Sequence, residues 1–299
     1  MDTGDNESSV AIFVRDLMWV AKSPSLLAVA GEMTSTGTHN EPFSVASDQP
    51  SLNQSEIDAG HLQGFLVKNP HNTVGRYFEL LVYYWIKYVR GLEIVVFNEQ
   101  IKRAGRTIGE IDLVFRNEQD WLIHLETAVK FFLHVPQPHA FSSDYVGPNS
   151  RDNLDKKITR LFGHQLQQSL DEPFNANFHE AFVRGCIFYH PSEPYPDQKH
   201  CRLHAAHLRG CWIHSSEANE LPQPGKWNYH LMRKPHWLAT TPNQLSAIPS
   251  MEIDGWIKQH FEHSDRPLML CTDRLKESVD GVAERIMIVS DQWPSYSKK

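Results

Sequence analysis

Two consecutive stretches, residues 108–116 (IGEIDLVFR) and 121–133 (WLIHLETAVKFFL), alternate with a period of two and predict strands. In the second, Ile123, Leu125, Val129, Phe131 and Leu133 share one face, and His124, Glu126, Ala128 and Lys130 share the other. In the first, Ile111, Leu113 and Phe115 oppose Glu110 and Asp112. Residues 92–98 (LEIVVFN) are β-branched and predict a strand just upstream, joined to the pair by the basic turn 102–106 (KRAGR). Residues 74–90 (VGRYFELLVYYWIKYVR) predict a helix capped by Thr73. It is apolar around most of its circumference, so it should be buried on more than one side, with Glu79 inside the apolar stretch.

A second helix is predicted over 151–170. There Leu154, Ile158, Leu161, Gln165 and Leu166 fall near one face, and Gln165 is its polar exception. Residues 184–189 read as a strand and 134–149 as a loop. Further along, 210–214, 227–232 and 284–289 read as short strands, and 251–261 and 273–280 as short helices. Residues 10–30 contain a helical segment interrupted by Ser23-Pro24, and 31–60 read as a long flexible loop rich in Ser, Thr, Asn, Asp and Pro. The order helix, three strands, helix, strand over 74–189 predicts an α/β fold with a mixed central sheet flanked by helices. The division expected is an N-terminal helix and acidic flexible insert (1–60), a core (61–190), and a C-terminal extension packed on that core (191–299).

Charge modifies this picture. The net charge is −7, but residues 1–60 hold nine acidic and two basic residues. That leaves 27 of each in the remainder, so the body of the chain is neutral and does not advertise a polyanion-binding face. The acidic start lacks the basic segment of a secretory signal, and no apolar run of about 18 residues predicts a membrane span. Four cysteines without short paired spacing fit a reduced, cytoplasmic protein.

Asp112, Glu126 and Lys130 lie in otherwise apolar strands, where charge is costly unless paired or metal-bound. Two carboxylates suit a hard divalent ion such as Mg²⁺ or Mn²⁺, which activates water and neutralises charge on a phosphate. Lys130 would orient the attacking water, Glu79 would contact the metal or its water shell, and Gln165 would orient the lysine or the substrate. On the exposed face of the second helix, Lys156, Lys157 and Arg160 would meet a nucleic-acid backbone.

This order of an acidic helix residue, a strand Asp, a strand with an acid and Lys, and a helix Gln resembles the PD-(D/E)XK nuclease superfamily. The resemblance implies a restriction-endonuclease-like core, a Mg²⁺- or Mn²⁺-dependent nuclease activity and a DNA or RNA substrate. In the family pattern the second acid stands two residues before the lysine. Here that place is Ala128, and Glu126 lies two residues earlier on the same face, displaced by roughly 7 Å. Over nearly its whole length the chain also resembles the bacterial family described as domain of unknown function 1853. The segments that carry this are VRDLMWVAKSPSLL, GRYFELLVYYW, GRTIGEIDLVF, HLETAVKFFL, GPNSRDNLDKKITRLFGHQL, RGCIFYHP, YHLMRKPHWLA and ERIMIVSDQWP.

Plainer readings compete. Asp112 and Lys130 form a buried ion pair; Glu126 pairs with Lys130; Glu79 pairs with Arg76; Gln165 satisfies a backbone group in the core. An inactive module of the same fold would bind nucleic acid or a protein partner without cutting it. His200, Cys201, His204, His207, Cys211 and His214 are zinc-type residues, but their spacing fits no closed four-ligand set. The same stretch, with Lys199, Arg202 and Arg209, is alternatively a basic surface. Trp212, Trp227, Trp237 and Trp293 read as packing residues.

Overall fold

A computed structural model describes residues 4–28, 53–103, 105–136, 143–168, 175–196, 200–221, 228–240, 247–272 and 285–295. The expected helix over 273–280 and Trp227 lie outside these residues, as does most of the expected loop 31–60. The protein is α/β, with a mixed sheet and helices. It divides into two compact units: Met1–Val129, Lys157–Gly185 and His200–His207 form the first; Lys130–Lys156, Cys186–Lys199 and Leu208–Lys299 form the second. Among the described residues no helix is long and apolar enough to cross a membrane.

In the first unit, helix α1 (Gly4–Lys22) ends where Ser23-Pro24 denies the next turn its backbone donor. Helix α2 (Ala59–Lys68) has no strong sequence signal; Asp58 caps it by accepting the His61 N–H at 2.9 Å. Helix α3 (Val74–Tyr84) begins at the predicted Thr73 cap and continues as a π-helical turn, Trp85–Val89. Its all-round apolar sequence is explained by burial of Tyr77, Phe78, Leu80, Leu81, Val82, Tyr84 and Trp85. The Tyr77 hydroxyl donates to buried Asp16 at 3.0 Å, so the α1–α3 contact includes a charge that is hydrogen-bonded rather than bare.

Strands β1 (Glu93–Arg103) and β2 (Arg106–Arg116) form an antiparallel hairpin, with Gly105 at φ +76° in its turn. β3 (Leu122–His134) pairs antiparallel with β2, and β5 (Phe178–Tyr189) is the next strand after β3. The sequence alternation gives β3 one apolar and one polar face, and on the polar face His124 and Glu126 are as buried as Ile123 and Leu125. Polar positions on a strand alternate whether or not the polar face is later covered, so periodicity does not report that cover.

Helix α4 spans Leu154–Gly163, shorter than the predicted 151–170. It stops at Gly163, a residue that readily ends helices, and a separate 3₁₀ turn, Gln165–Gln167, follows. Gln165 therefore sits on a turn rather than on the helix face.

The second unit contains the continuation of β3, paired with the short β4 (Tyr145–Val146) inside the region read as a loop. It also holds the end of β5, from Cys186, followed in order by β6 (Leu208–His214), β10 (Arg285–Val289), β9 (Leu268–Thr272), β7 (Asn228–Met232) and β8 (Ala247–Pro249). The β5–β6 and β6–β10 pairs are parallel and the others antiparallel. Helix α5 (Ile253–His263) buries Ile253 and Ile257 in a cluster with Ile213, Leu270 and Ile288. The predicted packing role of tryptophan holds for Trp212, Trp237 and Trp293: all are buried, and each indole donates to a backbone carbonyl.

Arg184 on β5 is 1% exposed, and its Nε and Nη2 have no hydrogen-bond partner among the described residues. Its guanidinium lies 4.0 Å from the centre of the Phe182 ring, and burial lowers its pKa to about 10. An uncompensated buried cation is a burden on the fold, so Arg184→Met is expected to stabilise it by about 1–3 kcal/mol in urea unfolding. A destabilised variant would mean that the guanidinium has a compensating partner.

Candidate active site

The β2–β3 ladder pairs Arg116 with Leu122, Phe115 with Ile123, Val114 with His124 and Leu113 with Leu125. One step further, the same register sets Asp112 against Glu126. Here side chains take over from the backbone ladder. The Thr127 N–H donates to Asp112 Oδ2 at 2.8 Å, and the Thr127 hydroxyl reaches the same oxygen at 3.3 Å. In return the Glu126 carboxyl accepts the backbone N–H of Asp112. Two acids thus occupy opposed positions at the end of a ladder, where like charges repel.

Glu126 is 1% exposed. Its Oε1 lies 3.1 Å from His124 Nε2, and its Oε2 accepts from Gln165 Nε2 at 2.5 Å. Gln165 in turn accepts from Lys157 Nζ at 3.1 Å. Burial raises the Glu126 carboxyl to about 7, opposed by the Lys157 and Arg160 charges. Burial, together with the charge of Glu126, raises Asp112 to about 6 against the Thr127 bonds and Lys157. Glu79 on α3 rises to about 7, chiefly by burial and then by the charge of Asp112; Arg76, at 3.2 Å, works against this. His124 is lowered by burial to about 4, so at neutral pH its contact with Glu126 is a hydrogen bond from an uncharged imidazole.

Asp112, Glu126, Glu79 and Gln165 are therefore gathered in the first unit, linked by hydrogen bonds or by charge. The expected Arg76–Glu79 pair is present. Lys130 belongs to the second unit, and its ion pair is with Asp152 at 2.6 Å, a partner the strand pattern does not suggest. Lys156 and Arg160 are exposed on α4, whereas Lys157 is half-buried and turned toward Gln165. Sequence reasoning gave Lys157 only a surface role and did not single out Thr127 at all. Lys157 and Gln165 lie eight residues apart across a helix end, which no simple helical period connects.

Among the described residues no group of three or more His, Cys, Asp or Glu is placed to hold a metal ion, and this includes the His/Cys stretch 200–214. In that stretch the rings of His200 and His204 each accept a backbone N–H two residues on. The Asp112–Glu126 pair is a two-carboxylate donor set. That fits Mg²⁺ or Mn²⁺, which takes one or two carboxylates and completes its octahedron with water and substrate oxygens. Asp112 Oδ1 accepts no hydrogen bond from a described residue, and burial raises both carboxyls in spite of the Lys157 charge.

The fold and site define an α/β protein with an opposed acid pair at the end of a strand ladder. The chain belongs to the family described as domain of unknown function (DUF1853), whose pattern matches residues 15–289. No curated protein and no solved structure matches the chain.

Proposed function

We propose that this site is the centre of a metal-dependent phosphodiester hydrolase of the PD-(D/E)XK type, with a restriction-endonuclease-like core and DNA or RNA as substrate. The observation that carries the reading is the opposed Asp112–Glu126 pair, with both carboxyls raised far above their ordinary values. Groups perturbed by burial and by a specific neighbouring charge concentrate at functional sites. Asp112 and Glu126 would hold Mg²⁺ or Mn²⁺; when bound, such an ion activates water and neutralises charge on the phosphate. Thr127 fixes the Asp112 carboxylate, leaving Oδ1 for the ion. Gln165 and His124 fix Glu126. Glu79, titrating at about 7, is able to accept or release a proton near neutral pH. Arg160, exposed on α4, offers a contact to the phosphate backbone.

The test uses purified protein with Mg²⁺ or Mn²⁺ on single- and double-stranded DNA and RNA, beside Asp112→Ala. Metal-dependent cleavage that falls roughly 100-fold or more in the variant is expected, since a catalytic ion supplies several kcal/mol. Equal rates in both proteins would overturn the reading. Nucleic-acid binding without cleavage would favour the inactive-module alternative, in which the hydrogen bonds already made by Glu126 are purely structural.

A further inference from the structure

We propose that Lys157, rather than Lys130, supplies the cationic group of this site, holding its ammonium through Gln165 beside Glu126 to meet the charge of the scissile phosphate. The inference rests on the hydrolase reading and assigns the residue that reading leaves open.

Three observations carry it. First, an unbroken chain of hydrogen bonds joins the ammonium to the acid pair: Lys157 Nζ to Gln165 Oε1 at 3.1 Å, then Gln165 Nε2 to Glu126 Oε2 at 2.5 Å. The amide of Gln165 has only one orientation that serves both, with its oxygen toward the ammonium and its nitrogen toward the carboxylate. Second, Lys157 belongs to the same compact unit as Asp112, Glu126 and Gln165, whereas Lys130 belongs to the other. Third, Lys130 is engaged elsewhere: it donates to Asp152 at 2.6 Å.

The location of Lys157 also suits the role. α4 begins at Leu154 with Asn153 as its cap, the Asn153 side chain accepting the Lys156 N–H at 2.8 Å. Lys157 thus stands in the first turn of the helix, flanked on the same side by Leu154 and Leu161, which are fully buried. A half-buried ammonium on a rigid helix, beside carboxylates that would carry the metal, is a pre-organised point charge for a developing phosphate anion.

The experiment compares Lys157→Ala, Lys157→Arg and Lys130→Ala with the wild type in the full chain, with cleavage rates and Mn²⁺ binding measured on each. Lys157→Ala is expected to lower kcat/KM roughly 100-fold, the usual loss for one electrostatic donor. Mn²⁺ affinity should stay within about threefold, because the lysine is not a metal ligand. Lys157→Arg should recover part of the rate and Lys130→Ala should cleave normally. Three results would overturn the assignment: wild-type cleavage by Lys157→Ala, a comparable loss in Lys130→Ala, or loss of Mn²⁺ binding along with activity in Lys157→Ala. A wild-type protein that cleaves no substrate removes the hydrolase reading and this role together, whereas an active wild type with an active Lys157→Ala removes only this role.

Discussion

Asp112→Asn is expected to raise the thermal midpoint at about pH 8 and to abolish the further rise that Mn²⁺ gives the wild type. The side-chain carbonyl of Asn can still accept the Thr127 N–H that Asp112 Oδ2 accepts at 2.8 Å. What disappears is a charge facing Glu126. In the folded protein the Asp112 carboxyl keeps its proton up to about pH 6, against an ordinary value of 3.8. Between those values the folded state binds more protons than the unfolded state, so wild-type stability falls as pH rises. A shift of about two pKa units corresponds to roughly 3 kcal/mol, and screening at a half-buried carboxyl reduces this to about 1–2 kcal/mol. Because Asn never ionises, the advantage of the variant should be full above about pH 6 and should vanish below about pH 4. Thermal melts across that range, with and without Mn²⁺, provide the check. A variant less stable than wild type at pH 8 would show that the ionised carboxylate helps to hold the ladder end together.

Gly210→Ala should destabilise the second unit by about 1–3 kcal/mol, the range for overpacking a tight core. A Cβ at Gly210 would lie 2.5 Å from two atoms of the Phe188 ring and 3.0 Å from the Arg285 backbone oxygen. Phe188 is fully buried, and β6 is paired on both edges, by β5 and by β10, so neither ring nor backbone is able to retreat without breaking parallel pairing. Urea unfolding followed by tryptophan fluorescence reports this directly, since Trp212 stands on the same strand. A midpoint equal to that of the wild type would mean that the ring has an alternative place to go.

Much of the first unit was legible in the sequence. Period-two alternation located β2 and β3, the β-branched run located β1, and Thr73 marked the start of α3. These signals are local: each depends on a few neighbouring side chains and on the geometry of a single element. The opposed acids were half legible, since alternation put Asp112 and Glu126 on polar faces but not opposite one another. That follows from the antiparallel register, which the turn and the pairing of two strands set together. α2, β8 and β9 carried little periodic signal, being short or packed on several sides.

The amino-acid pattern alone established an α/β chain and most of its strands, and singled out the carboxylates and amide that the first unit gathers. It named Lys130 as the lysine, because period two places it on the face of Glu126, and it had no means of indicating that Lys130 pairs with Asp152. Tertiary structure gave Lys130 to Asp152 and ended α4 at Gly163, so that Gln165 turns back toward Glu126 with Lys157 behind it. It also buried the polar face of β3, and burial is what raises the carboxyls and lowers His124. Desolvation and the pairing of charges depend on groups distant in sequence, and they arise only when those groups are brought together.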